Sequence, residues 1–270
     1  MFEPEVMLIM PDTKKALELY QKLFGIQADA KNVFECEGEV YIVLGGMTLH
    51  LIKEDESQGL ICPDFTLEHT YRFYIIVKDI KPIFANLFVN CEGISLSDGR
   101  DGERISITIV DDYGYKWIVT LSKNDHSNKE ENILTASLFY LVDNIDEATV
   151  YYRKIFDPAN QGVFTERQVT DAKGFRKQLT FYMEDLRIHF AEYDRELSKS
   201  SRVSNQETPF QIKIYCENPE ELLQRAIVEE CTVLSQCDMD MLSFPATILD
   251  RYGVKWQIGY QEQIADDNEE

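Results

Sequence analysis

The chain has 270 residues and a formal charge of −21, with 48 acidic residues against 27 basic ones. Such a field repels polyanions, and phosphate neutralisation dominates affinity for nucleic acid, so nucleic acid and anionic membrane surfaces are excluded as partners. No apolar run approaches the roughly 20 residues of a membrane-spanning helix. The opening Met1-Phe2-Glu3-Pro4-Glu5 lacks the basic segment of a signal peptide. Six cysteines without a close CxxC pair read as thiols of a reducing compartment, so a cytoplasmic protein is expected.

The elements recur in one pattern. Val6 to Met10 is a short apolar strand that stops at Pro11-Asp12, after which Ala16, Leu17, Tyr20, Leu23 and Phe24 recur at helical spacing. Asp12 is placed as the N-cap and Gly25 as the C-cap. Phe73 to Val77 leads to Asp79 and a helix carrying Ile83, Phe84, Leu87 and Phe88, with Pro82 tolerated in the first turn. Leu138 to Val142 leads to Asn144 and a helix with Ala148, Tyr151, Tyr152, Ile155 and Phe156, where Glu147 is placed for a capping box. Ile212 to Cys216 leads to Asn218, Pro219 at the first helical position, and Leu222, Leu223 and Ile227. The four caps fall at intervals of 67, 65 and 74 residues.

After each helix come strand-like runs. In the first unit these are Val33 to Cys36, Val40 to Leu44, the turn Gly45-Gly46, and Met47 to Ile52; in the third they are Phe164 to Val169, Gln178 to Tyr182 and Leu186 to Phe190. The unit is therefore βαβββ, and four of them cover the chain. A turn closes the second and fourth units: Asp112-Tyr113-Gly114-Tyr115-Lys116-Trp117 has a near copy in Asp250-Arg251-Tyr252-Gly253-Val254-Lys255-Trp256, and Trp256 lies 139 residues after Trp117. Residues 1–123 form one half, 124–132 a polar linker, 133–262 the other half, and 263–270 an acidic tail. Asp111 and Asp112 read as solvated turn caps, Trp117 and Trp256 as core, and the cysteines as buried apolar groups. His69 and His126 fall in loop-like segments.

The strand, the Asx cap, the helix Ala16-Leu17-Glu18-Leu19-Tyr20-Gln21-Lys22-Leu23-Phe24-Gly25 and the closing Asp-x-x-Gly-x-x-Trp turn resemble the glyoxalase / bleomycin-resistance / extradiol-dioxygenase group, the vicinal oxygen chelate superfamily. The terminal pairs Lys116-Trp117 and Lys255-Trp256 are most similar to its PhnB-like branch. The resemblance implies an α+β fold in which four βαβββ units form two cupped mixed β-sheets with flanking helices, each half being one glyoxalase-like domain. It also implies a divalent metal, held in such enzymes by His, Gln or Glu on the first and last strands.

At the corresponding first-strand positions stand Glu5, Arg72, Ser137 and Gln211, and on the closing strands Ile118 and Gln257. His50 and His189 take matching places in the two halves. With Arg72 opposing Glu5 and His50, and with no carboxylate beside His189, Gln211 and Gln257, neither set makes a convincing metal site. The candidate ligand-binding residues are thus Glu5, His50, Arg72, His189, Gln211 and Gln257; if a metal is bound, His189, Gln211 and Gln257 would hold it. Arg72 suits a carboxylate or phosphate, whereas Gln211, Gln257 and His189 amid Phe139, Tyr140 and Tyr182 suit a neutral polar or aromatic compound. The expected function is small-molecule binding without a cofactor. The alternatives are a metal-dependent lyase, isomerase or dioxygenase and a non-catalytic interaction scaffold, so enzymatic activity is left open. A monomer or homodimer is expected, and the units pair either within each half or across the halves.

Overall fold

An apolar strand, an Asx residue and an amphipathic helix open each of the four units. The computed structural model describes residues 2–27, 33–36, 39–63, 71–90, 95–101, 104–124, 131–157, 159, 164–171, 174–192, 208–236 and 246–260. Unit one comprises β1 (Phe2–Met10), α1 (Thr13–Phe24), β2 (Val33–Cys36), β3 (Glu39–Leu44) and β4 (Met47–Lys53). Unit two comprises β5 (Tyr71–Val77), α2 (Lys81–Asn90), β6 (Ser95–Asp101), β7 (Arg104–Val110) and β8 (Lys116–Leu121). Unit three comprises β9 (Ile133–Val142), α3 (Ile145–Phe156), β10 (Phe164–Asp171), β11 (Gly174–Met183) and β12 (Leu186–Glu192). Unit four comprises β13 (Phe210–Cys216), α4 (Pro219–Val228), β14 (Thr232–Gln236), β15 (Ala246–Leu249) and β16 (Lys255–Tyr260).

The caps act as their side chains allow. Asp12 accepts from the Lys15 amide at 3.1 Å, Asn144 from the amides of Asp146 and Glu147, and Asn218 from that of Glu221. Glu147 completes its box through a variant contact, accepting from the Asn144 side-chain amide at 2.9 Å. Two expected core residues are out of phase. Phe84 and Ile227 are 41% and 42% exposed, because each lies one residue past the buried stripe, Ile83 and Leu87 on α2 and Leu222, Leu223 and Ala226 on α4.

In every unit the last strand returns parallel to the first and beside it: β1 with β4, β5 with β8, β9 with β12, β13 with β16. The units then join through antiparallel pairs of their first strands, β1 with β13 and β5 with β9. The result is two eight-stranded mixed sheets, ordered β14-β15-β16-β13-β1-β4-β3-β2 and β10-β11-β12-β9-β5-β8-β7-β6. Unit one therefore shares a sheet with unit four and unit two with unit three, which settles the open pairing in favour of association across the sequence halves.

One face of each sheet contributes to a common core. Val6, Leu8, Leu49, Ile212 and Trp256 come from one sheet, and Phe73, Ile75, Trp117, Leu138 and Phe190 from the other. The rings meet directly: Phe210 of the one-four sheet lies 4.8 Å from Tyr71 and 6.2 Å from Tyr140 of the two-three sheet, centroid to centroid. Alternate residues point to the opposite, cupped face.

The repeated turn ties together the two units of each sequence half. Asp111 is buried, and its carboxylate accepts from Tyr20 Oη (2.8 Å), Trp117 Nε1 (2.8 Å) and the amides of Tyr113 and Tyr115 (both 2.9 Å). Asp250 repeats the set with Tyr152 Oη (2.7 Å), Trp256 Nε1 (2.8 Å) and the amides of Tyr252 (2.8 Å) and Val254 (2.9 Å). Each turn closes with a glycine in the left-handed region, Gly114 at φ 86° and Gly253 at φ 84°. Asp111, rather than Asp112, is thus the counterpart of Asp250, and the expectation that it is a solvated cap is corrected; only Asp112 is exposed. Burial pushes the Asp111 carboxyl up to about 6, against the pull of its donors, and raises Asp250 for the same reason. Tyr20 lies on α1 of unit one and Tyr152 on α3 of unit three. The carboxylates therefore join units one and two, and units three and four, while the sheets join one to four and two to three.

Candidate functional site

Strand register places matched positions of the two sheets in parallel rows. In the one-four sheet His50 pairs with Met7, and Met7 with Gln211. In the two-three sheet the same row reads His189, Phe139 and Arg72. The adjoining row holds Glu5, Lys213 and Gln257 in the first sheet, and Ser137, Tyr74 and Ile118 in the second. The flanking residues of each strand, such as Val6, Leu49, Leu51, Phe73 and Trp256, belong to the core. By the strand period of two, the six candidates Glu5, His50, Arg72, His189, Gln211 and Gln257 all lie on the cupped faces.

Their grouping differs from the one read along the chain. Glu5, His50, Gln211 and Gln257 share the one-four cup, whereas Arg72 and His189 share the two-three cup, because the units associate across the halves. His189 is consequently on a different sheet from Gln211 and Gln257, and the three do not form one metal-binding set. Tyr140 is likewise in the core, 1% exposed, so that of the expected aromatic lining Phe139 and Tyr182 are on the cup face and Tyr140 is not.

In the one-four cup His50 is buried, with its ring stacked on Tyr41 at 4.2 Å and Tyr41 stacked on Phe34 at 4.7 Å. His50 Nε2 is 2.9 Å from Glu39 Oε2, and Nδ1 is 3.6 Å from Glu5 Oε2. Neither nitrogen makes an aligned hydrogen bond among the described residues. Tyr41 Oη donates to the same Glu39 oxygen at 2.9 Å, and burial together with this bond holds its phenol well above the ordinary range. On the other side of Glu5, Lys213 Nζ lies 3.7 Å from Oε2 and 5.2 Å from the centroid of the Tyr215 ring. Gln211 Oε1 is buried and has no hydrogen-bond partner among the described residues. Glu39 and Lys213 stand in this cluster beside His50 and Glu5, and the sequence reading missed both. The available signal was a lysine between Ile212 and Ile214, in a strand apolar enough to be core.

The two-three cup has a different chemistry. His189 Nδ1 is 2.9 Å from Thr180 Oγ1; burial, and then the Arg187 guanidinium, lower its pKa to about 4, so the ring is neutral at pH 7. Arg72 donates from Nη1 to the carbonyl of Tyr71 at 2.6 Å, and Ser137 Oγ donates to the Tyr74 carbonyl at 3.4 Å. By alternation Arg187 and Lys116 share this face, and among the described side chains of β5, β8, β9 and β12 on it none is acidic. The described cysteines Cys62, Cys216 and Cys231 are free thiols, with Cys216 and Cys231 in the core; burial raises all three, Cys62 to about 12 and Cys231 to about 11. His69 and His126 lie outside the described residues, as do 125–130 of the expected linker and the tail.

The divalent metal implied by the resemblance can be tested against these donors. Among the described residues no three His, Cys, Asp or Glu side chains converge to hold an ion. Beside Glu5 and His50, the nearest approach to such a set, stands the Lys213 ammonium. A cation there would meet a fixed positive charge in a partly desolvated cup. The residues present do not fit the metal.

The fold, two eight-stranded mixed sheets built from four βαβββ units, has counterparts among solved structures. The structure is similar to glyoxalase I from Zea mays, with a TM-score of 0.63 and 13% identity over 96% of this chain and 93% of that chain. It is also similar to a candidate dioxygenase from Bacillus subtilis subsp. subtilis str. 168, with a TM-score of 0.54 and 10% identity over 96% of this chain and 84% of that one. No family model and no curated protein matches the sequence. At these identities the likeness establishes architecture and leaves function to the cups. No helix among the described residues is long and apolar enough to cross a membrane.

Proposed function

We propose that the protein binds a small, neutral, polar molecule in the one-four cup, without a metal ion. Gln211 and His50 would supply its hydrogen bonds, with Glu5 and Gln257 beside them. The observation that supports this reading is the floor of the cup. Gln211 Oε1, Glu5 Oε2 and both His50 ring nitrogens are buried there without an aligned partner among the described residues. A buried oxygen left unpaired, as Gln211 Oε1 is among the described residues, costs about 1–3 kcal/mol, which a ligand carrying a complementary donor recovers. Beside Gln211 the Lys213 ammonium offsets the Glu5 charge, which favours a neutral ligand there over an ion.

The test is a thermal-shift screen with small amides, polyols and phenolic compounds, followed by calorimetry on the best compound. Gln211→Leu is expected to weaken it at least tenfold and Arg72→Leu to leave it unchanged. If no compound of these classes binds, or if Arg72→Leu and not Gln211→Leu weakens the binding, the assignment to this cup is wrong.

A second reading concerns the other cup. Arg72, Arg187 and Lys116 share a face on which no described side chain of the central strands is acidic, an arrangement suited to a carboxylate or phosphate, which a planar guanidinium grips bidentately.

A further inference from the structure

We infer that Lys213 is a tethered cation, its ammonium standing beside Glu5 and His50 where a divalent ion would otherwise bind, and that this charge is what keeps the one-four cup free of metal. The inference rests on the metal-free reading of that cup, but it is tested apart from ligand binding.

Glu5 Oε2 and His50 Nδ1 are 3.6 Å apart. Two ligand atoms at about 2.1 Å from a tetrahedral zinc ion are separated by ~3.4 Å, so this pair is already spaced to share an ion. Gln211 Oε1, buried without a partner among the described residues, and Gln257, register neighbour of Lys213, are further oxygen donors on the same face. The donor set is thus nearly assembled. Against it, Lys213 places Nζ 3.7 Å from the same Glu5 oxygen, and its side chain is only 9% exposed, so water screens the charge poorly.

The second sheet shows that the scaffold does not require an ion pair at this place. Where Glu5 faces Lys213 and Lys213 faces Gln257, the matched positions are Ser137, Tyr74 and Ile118, a row without charge. A fixed charge in a strand otherwise flanked by Ile212 and Ile214 is costly to bury unless it is compensated, and Glu5 compensates it as it would a metal.

Titration of Ni2+ and Zn2+ into the full chain by calorimetry, with the melting temperature followed with and without metal, tests the inference. The wild-type protein is expected to show no stoichiometric binding. Lys213→Gln should bind one equivalent at least ~100-fold more tightly and melt higher with metal present, and adding Glu5→Gln should abolish that gain. Lys213→Met, close in length, serves if Lys213→Gln does not fold, and Lys213→Arg, which keeps the charge, should gain nothing. One equivalent bound by the wild-type protein, or a gain in Lys213→Arg, overturns the inference, as does the absence of any gain in the charge-removing variants. A metal gain without any ligand in the screen above would instead count against the proposed ligand alone.

Discussion

Where Glu5 faces Lys213 in one sheet, Ser137 faces Tyr74 in the other; where His50 stacks on Tyr41 beside Glu39, His189 shares a hydrogen bond with Thr180. The strands carrying these pairs are equivalent strands of matched units, one with three and four with two, in the same register. The cup faces have therefore diverged in charge while the core faces kept one pattern of Leu, Ile, Phe and Trp. The physical reason is that the core face and the turns carry the folding energy, through burial and through the donors around Asp111 and Asp250, whereas a cup-facing side chain contributes little to stability unless it is charged and enclosed. One cup became a compensated acid, histidine and lysine cluster, the other a cationic face with a neutral histidine.

The sharpest way to break this comparison is to remove the scaffold that both cups share. Asp111→Ala leaves Tyr20 Oη, Trp117 Nε1 and the amides of Tyr113 and Tyr115 buried without their acceptor. A loss of about 3–5 kcal/mol is expected in chemical denaturation. Because Tyr20 belongs to unit one and Trp117 to unit two, ligand binding should weaken in both cups at once. Stability within 1 kcal/mol of wild type, a bound set roughly by the ordinary surface substitution, would show that the carboxylate is not the tie it resembles.

Gly45 is the next test, with a somewhat smaller effect. Its carbonyl accepts from the Ala136 amide of the other sheet at 3.0 Å, and a Cβ added to it would lie 2.6 Å from that same nitrogen. With φ at 55° as well, Gly45→Ala should cost about 2–4 kcal/mol. Gly46→Ala, whose Cβ would meet nothing closer than 3.9 Å, carries only the backbone strain of its φ and should cost less. Equal losses for the two variants would mean that the seam between the sheets is not held at Gly45.

Much of this fold is legible in the sequence because its signals are local. Asp12, Asn144 and Asn218 announce helices within three residues of the groups they cap, and alternation along each strand is enough to put all six candidate residues on the cup side. What is not legible depends on distance. The first strands of the units are all short apolar runs, so no local feature says that β1 joins β13 rather than β5, and with that pairing went the grouping of Arg72 with His189. Asp111 reads as a solvated turn residue because Tyr20, which marks it as buried, lies 91 residues away. Lys213 escaped notice because its strand looks like core and its partner Glu5 is at the far end of the chain.

The smallest effect is the pH dependence carried by His189 in the two-three cup. His189 has a folded pKa near 4 against an ordinary value of 6.5, so between these values the unfolded chain binds the proton more readily. Stability carried by this ring is therefore present above pH 6.5 and is lost as pH falls through 4, by about 1–3 kcal/mol in all. Asp111 acts in the opposite sense: its pKa, raised to about 6, gives stability that is present below its ordinary value and is lost as pH rises through 6. The two partly cancel in the wild-type melting curve, so the informative quantity is the difference between wild type and His189→Gln, which can keep a contact to Thr180 and cannot titrate. From pH 6.5 down to 4 the variant should lose less stability than wild type by that amount. Parallel curves for the two proteins would mean that the ring charges without leaving its place, and the two-three cup would then be wetter than its geometry implies.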